Sequence, residues 1–165
     1  MFTSSFNSFI SLDELEYDDN MLIFLDENQG VCSWGINADD TENPVVYMYV
    51  SINNAEPTWH SEKIRLDEFL KITMYLQCSE GGYEYCCAVY EDDFENRKAY
   101  EQFLSETIVG WEKVVDHNGF VAYQKENILI WHFSDRNGKM EDILYASSLT
   151  EEGMKEMEVL GFSEL

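Results

Sequence analysis

The amino-acid sequence predicts an α+β fold, a mostly antiparallel sheet with helices packed on one face. Three observations lead there. Strand-like runs gather between Met21 and Ile64 and again between Lys113 and Ser147, with helical periodicity between the two groups and after the second. Short turns join the later strands, among them Asn118-Gly119 and Asn137-Gly138, and Asn-Gly is the strongest local hairpin signal. Runs of strands separated by runs of helices favour antiparallel pairing over the strict alternation of a doubly wound sheet.

Residues Met1 to Ile10 alternate aromatic and small polar side chains, the pattern of an edge strand or a docked arm. Ser11-Leu12-Asp13-Glu14-Leu15 follows as a capping box, with Ile10 and Leu15 spaced as a hydrophobic staple, and predicts one short helical turn. Glu16 to Asn20 reads as an acidic connector. A hairpin comes next: apolar Met21 to Leu25, a turn over Glu27 to Gly30, and a return strand in which Val31, Ser33 and Gly35 alternate with Cys32, Trp34 and Ile36. Gly30 suits the turn because a residue without Cβ enters the left-handed region at no steric cost. Asn37 to Asn43 is a second acidic loop. Pro44 then precedes a strand over Val45 to Ile52, a position where proline is tolerated.

Trp59 to Ile64 predicts a further short strand. Leu66, Phe69, Leu70, Thr73, Met74 and Gln77 recur at helical spacing, with Asp67 and Glu68 at the positive end of the helix dipole, so the apolar face of this first helix should lie on the sheet. Gly81-Gly82 ends it, and Tyr83 to Tyr90 fits either a strand or a helix. After Glu91-Asp92-Asp93-Phe94-Glu95, the apolar positions Tyr100, Phe103, Leu104, Thr107, Ile108 and Trp111 mark a second amphipathic helix. The final third is β: Lys113 to His117, Phe120 to Lys125, Ile128 to Ser134 and Met140 to Ser147. Thr150 caps a last helix over Glu151 to Leu160, with Leu149 and Met154 as its staple and Gly161 as its stop.

A chain of 165 residues, 45% hydrophobic and 15% aromatic, is long enough to bury one core, and a single domain over 1–165 is expected. Ten Lys plus Arg against 33 Asp plus Glu leave a net charge of −23, with a pI near 4.1. Phosphate recognition needs clustered Lys and Arg, and none cluster here, so nucleic acid and anionic membranes are poor partners. A basic protein or hydrated divalent cations suit such a surface. Cys32, Cys78, Cys86 and Cys87 form no C-x-x-C spacing, which argues for reduced core thiols over zinc or a redox pair. The N-terminal stretch lacks the charged start of a signal peptide, the first basic side chain being Lys63, and the apolar runs fall short of the roughly 18 residues of a membrane span. A cytoplasmic location is expected.

The residues that could carry chemistry are scattered. His60, His117 and His132 form no H-x-x-x-H or H-E-x-x-H pair, and His132 within Trp131-His132-Phe133 reads as a hydrogen-bonded strand histidine. Cys86-Cys87 lies among acidic residues that raise a thiol pKa and leave it unreactive. No catalytic residue, metal or cofactor is called for, and a non-enzymatic role is expected. Asp39, Asp40 and Glu42 in one loop, and Glu91, Asp92 and Asp93 in another, lack the calcium-loop ladder and stand as candidate partner-binding residues. Aromatic side chains among such carboxylates would supply anchors.

The hairpin and its flanks resemble the SUKH superfamily, which joins yeast Smi/Knr regulators of cell-wall glucan synthesis with many bacterial immunity proteins. The matching residues are Leu12-Asp13-Glu14-Leu15, then Ile23-Phe24-Leu25-Asp26-Glu27-Asn28-Gln29-Gly30-Val31-Cys32-Ser33-Trp34-Gly35-Ile36, then Pro44-Val45-Val46-Tyr47, and Trp59 followed by Leu66-Asp67-Glu68-Phe69-Leu70. The chain departs from the family in carrying Asn43-Pro44 where two prolines are usual, and in lacking the amphipathic helix and Asn-Gly-Gly turn that open many members. The resemblance implies one SUKH-like α+β domain without catalytic residues. It also implies neutralisation of a cognate toxin domain, often a nuclease, by direct binding. The alternative within the same resemblance is a Smi/Knr-like regulatory or scaffold module that binds endogenous proteins.

Overall fold

The computed structural model describes residues 7–40, 42–53 and 55–165. The first part of the predicted N-terminal arm, residues 1–6, and Thr41 of the acidic loop lie outside them. Contacts along the chain gather into two compact units, 1–77 and 78–165, each carrying an antiparallel sheet of six strands. The fold is α+β with antiparallel sheets, as predicted, but the strands are shared between two sheets where the sequence predicts one.

In the first unit, strand β1 (Asn7–Phe9) pairs with Leu25 to Glu27 and β2 (Glu16–Asp18) with Met21 to Ile23, so both short strands lie on β3 (Met21–Glu27). The connector expected at Glu16 to Asn20 is therefore a strand and a turn. Asp19 and Asn20 take φ of 44° and 65°, the left-handed pair that closes a two-residue hairpin with the twist the strands require. The capping-box segment is a hydrogen-bonded turn rather than a helix. Ser11 Oγ donates to Glu14 Oε2 at 2.6 Å and Glu14 N donates to the Ser11 carbonyl at 2.9 Å.

The predicted hairpin is present. β3 pairs with β4 (Cys32–Asn37), with a bulge between Ile23 and Leu25. Gly30 closes the turn at φ 70°, its N–H donating to the Glu27 carbonyl at 2.9 Å. β5 (Val45–Val50) and β6 (Thr58–Arg65) extend the sheet, and α1 (Leu66–Gln77) packs on it. Phe69 of α1 meets Phe24 edge-on at 5.9 Å and Trp34 at 6.0 Å, so the helix covers the face that Trp34 presents. Trp34 Nε1 donates to Glu62 Oε1 at 3.0 Å, which satisfies an indole N–H that is partly buried.

In the second unit a π-helical turn over Cys78–Gly82 leads into β7 (Tyr85–Tyr90), which resolves the helix-or-strand choice at Tyr83 to Tyr90 as strand. A single 3-10 turn, Glu91–Asp93, precedes α2 (Arg97–Thr107), which ends four residues before the predicted boundary at Trp111. β8 (Glu112–His117), β9 (Phe120–Lys125), β10 (Ile128–Phe133) and β11 (Ile143–Ser148) follow, then α3 (Glu151–Leu160) and β12 (Ser163–Glu164). Strand pairing past the Asp135 turn is limited to a Ser134–Met140 bridge, so β11 starts at Ile143, later than the Met140 start predicted. The sheet order is β12-β7-β11-β10-β9-β8.

Cys87 and Val89 of β7, Ile128 and Ile130 of β10 and Leu144 and Ala146 of β11 form one core with Tyr100 of α2 and Met154 and Met157 of α3. Alternation along each strand places these residues on one face. Gly153 sets how closely α3 can approach: a Cβ there would fall 2.2 Å from Ser148 Oγ and 3.0 Å from an Ile128 side-chain carbon. No helix among the described residues is long and apolar enough to cross a membrane.

Candidate functional site

The acidic loops form two distinct arrangements. In the first unit the β2–β3 turn and the β4–β5 loop are laced together at one end of the sheet. Asn20 Nδ2 donates to Asp39 Oδ2 at 2.8 Å and to Asn37 Oδ1 at 3.2 Å, and Ala38 N donates to the Asn20 carbonyl at 2.9 Å. Asp18 and Asp19 thereby join Asp39, Asp40 and Glu42 on an exposed acidic rim. The far side of the loop is anchored at Asn43, whose Oδ1 accepts from Asp67 N at 3.1 Å and whose carbonyl accepts from Arg65 Nη1 at 3.1 Å. The hydrogen bond from the Asn43 side chain is the main reason the Asp67 carboxyl lies below the ordinary aspartate range. Within 1–77 the basic residues are Lys63, Arg65 and Lys71, so this rim faces solvent with little compensating charge.

In the second unit Glu91, Asp92 and Asp93 are differently occupied. Arg97 forms ion pairs with Glu91, with Glu101 at 2.9 Å and with Asp142 at 3.4 Å, while its Nη2 donates to the Met140 carbonyl and its guanidinium lies 5.3 Å from the Tyr100 ring. The Asp93 carboxylate accepts from Tyr90 N at 2.8 Å and so caps the 3-10 turn. Asp92 is exposed on the outside of that turn. The sequence shows a run of like charges here. It does not show that Arg97, six residues on, returns to the start of the run while reaching a carboxylate 45 residues away.

His132 is 6% exposed on β10, and burial lowers its pKa below the ordinary histidine value. Its Nδ1 donates to the Phe133 carbonyl at 3.1 Å and lies 3.4 Å from Ser134 Oγ. His132 borders a cleft of about 660 Å³ whose rim carries the Lys113–Asp116 ion pair at 2.9 Å and Arg136. All four cysteines are free thiols, and burial pushes that of Cys87 up to about 12. Among the described residues no group of three or more His, Cys, Asp or Glu is placed to hold a metal ion.

The Trp34-Gly35 pair of the hairpin has a packing explanation. A Cβ on Gly35 would fall 2.9 Å from the Leu22 carbonyl oxygen and 2.9 Å from the Trp59 ring. Trp59 therefore lies across Gly35 on one face of the sheet while Trp34 meets α1 on the other, and Tyr49 packs 5.0 Å from Trp59. The Trp-Gly pair and the distant Trp59 are one structural unit. No family model, no curated protein and no solved structure matches the chain.

Proposed function

We propose that the chain is a protein-binding module without catalytic activity, and that it is a SUKH-like immunity protein which neutralises a basic toxin domain, often a nuclease, by occupying the surface that would hold nucleic acid. The observation that carries the proposal is the acidic rim, where the β2–β3 turn and the β4–β5 loop put Asp18, Asp19, Asp39, Asp40 and Glu42 at one end of a sheet. A chain of net charge −23 attracts a cationic partner over the length of its own field, and a rim of that sign orients the encounter. Asp92 is a further exposed contact in the second unit. Glu91 and Asp93 act there mainly by holding the turn that presents it.

Co-purification from the native host tests the proposal. The expected result is a one-to-one complex with a basic protein, with host growth restored when the two are co-expressed. The association rate of that complex should fall about tenfold or more as salt rises from low to physiological strength, since steering of this kind is screened within a Debye length of about 8 Å. Asp39→Asn together with Asp40→Asn and Glu42→Gln should slow association while leaving the dissociation rate nearly unchanged. Many unrelated host partners without rescue would favour the scaffold alternative. An association rate indifferent to ionic strength would remove the steering role.

A further inference from the structure

We propose that the cavity beside the Cys78–Gly82 turn is a socket for one guanidinium or ammonium side chain of a basic partner protein, an assignment that rests on the protein-binding function proposed above. The cavity measures about 260 Å³, room for one long side chain, and Glu80, Cys86, Trp131, Phe133, Tyr145 and Ser147 line it. Its walls are aromatic. Trp131 and Tyr145 stack at 4.2 Å with 11° between their planes, and Phe133 meets Trp131 edge-on at 5.8 Å. Such ring systems attract cations through their faces and accept the apolar stem of a Lys or Arg side chain.

Among the side chains that line the cavity, Glu80 is the one carboxylate. Trp131 Nε1 donates to Ser147 Oγ at 3.2 Å, and Ser147 Oγ in turn donates to the Ser79 carbonyl at 3.3 Å. Both are thereby committed inside the wall. Glu80 takes part in none of the ion pairs among the described residues. It is half-buried, and that burial raises its carboxyl above the ordinary glutamate range, the condition of an anion short of a counter-charge. A carboxylate that shares a cavity of this volume with stacked rings is complementary to a cation with an apolar stem. Arginine fits better than lysine, because its planar fork pairs with a carboxylate while lying flat on a ring.

The test uses the full chain with Nα-acetyl-arginine amide, and with Nα-acetyl-citrulline amide as the uncharged control of nearly the same shape. The arginine probe should shift the indole N–H resonance of Trp131 and slow alkylation of Cys86, read against a Cys86→Ser control, and the citrulline probe should do neither. Glu80→Gln keeps the shape of the side chain and should weaken the arginine probe about tenfold or more, the scale of a lost charge-assisted contact. Equal responses to the two probes, or an unchanged affinity in Glu80→Gln, would overturn the assignment. A basic partner that binds wild type and Glu80→Gln equally well leaves the protein-binding function standing and removes the socket, whereas probe binding without any basic protein partner does the reverse.

Discussion

At the scale of single residues, Gly35 and His132 illustrate two kinds of constraint. Gly35 is fixed by what lies over it, since the Leu22 carbonyl belongs to a paired strand and cannot retreat as a flexible side chain could. Gly35→Ala should destabilise the protein by about 1–3 kcal/mol in urea unfolding, the range for overpacking against a rigid neighbour. His132 is fixed by burial. Its folded pKa lies below the unfolded value of 6.5, so between those two values the unfolded chain binds the extra proton. Stability should be complete above pH 6.5 and should fall as the pH is lowered through the folded pKa of His132. His132→Gln should flatten that part of a stability–pH profile measured by thermal unfolding. A slope unchanged by the substitution would assign the titration to another group.

At the scale of elements, short side chains and one arginine decide how helices sit. Thr150 Oγ1 accepts from Gly153 N at 3.2 Å and Asn96 Oδ1 accepts from Ala99 N at 3.1 Å, so each helix of the second unit has a side-chain cap. Thr150→Ala should cost about 1 kcal/mol in chemical denaturation. Arg97 does more than cap. It joins the start of α2 to the Glu91 turn and to the segment leading into β11, with a side chain that is 21% exposed. Arg97→Ala should destabilise by about 1–3 kcal/mol, because it removes packing on Tyr100 and leaves Glu91, Glu101 and Asp142 repelling one another. Arg97→Lys should recover only part of this, since an ammonium cannot bridge several oxygens in one plane. The outer strands have a related device. β6 carries Lys63 at φ 60° and β8 has a register shift between Lys113 and Val115, irregularities that discourage pairing with another chain's edge.

At the scale of the molecule, charge is the dominant feature. Carboxylates repel one another more in the folded chain than in the expanded one, so screening should stabilise the fold. Raising NaCl from about 10 mM to about 150 mM should increase the melting temperature by about 2–4 °C, equivalent to about 1 kcal/mol. A melting temperature that falls with added salt would mean that ion pairs such as those of Arg97 outweigh the repulsion.

What the sequence by itself determined is what depends on neighbours along the chain. The hairpin around Gly30, the Asn118-Gly119 turn, the period of α1 and the Thr150 cap and Gly161 stop of α3 all follow from local conformational preference and from alternation of apolar with polar residues. Asp19-Asn20 escaped because its turn uses the same left-handed geometry without a glycine to announce it. Only the tertiary structure decided the rest. It divided the strands between two sheets, drew Asp18 and Asp19 to Asp39 through Asn20, turned Arg97 toward Glu91 and Asp142, and set Glu80 beside Trp131 and Tyr145. These juxtapositions join residues tens of positions apart, and no local propensity encodes them. They arise when apolar faces are buried together and the polar groups carried along with them must find partners at whatever distance in sequence the packing brings near.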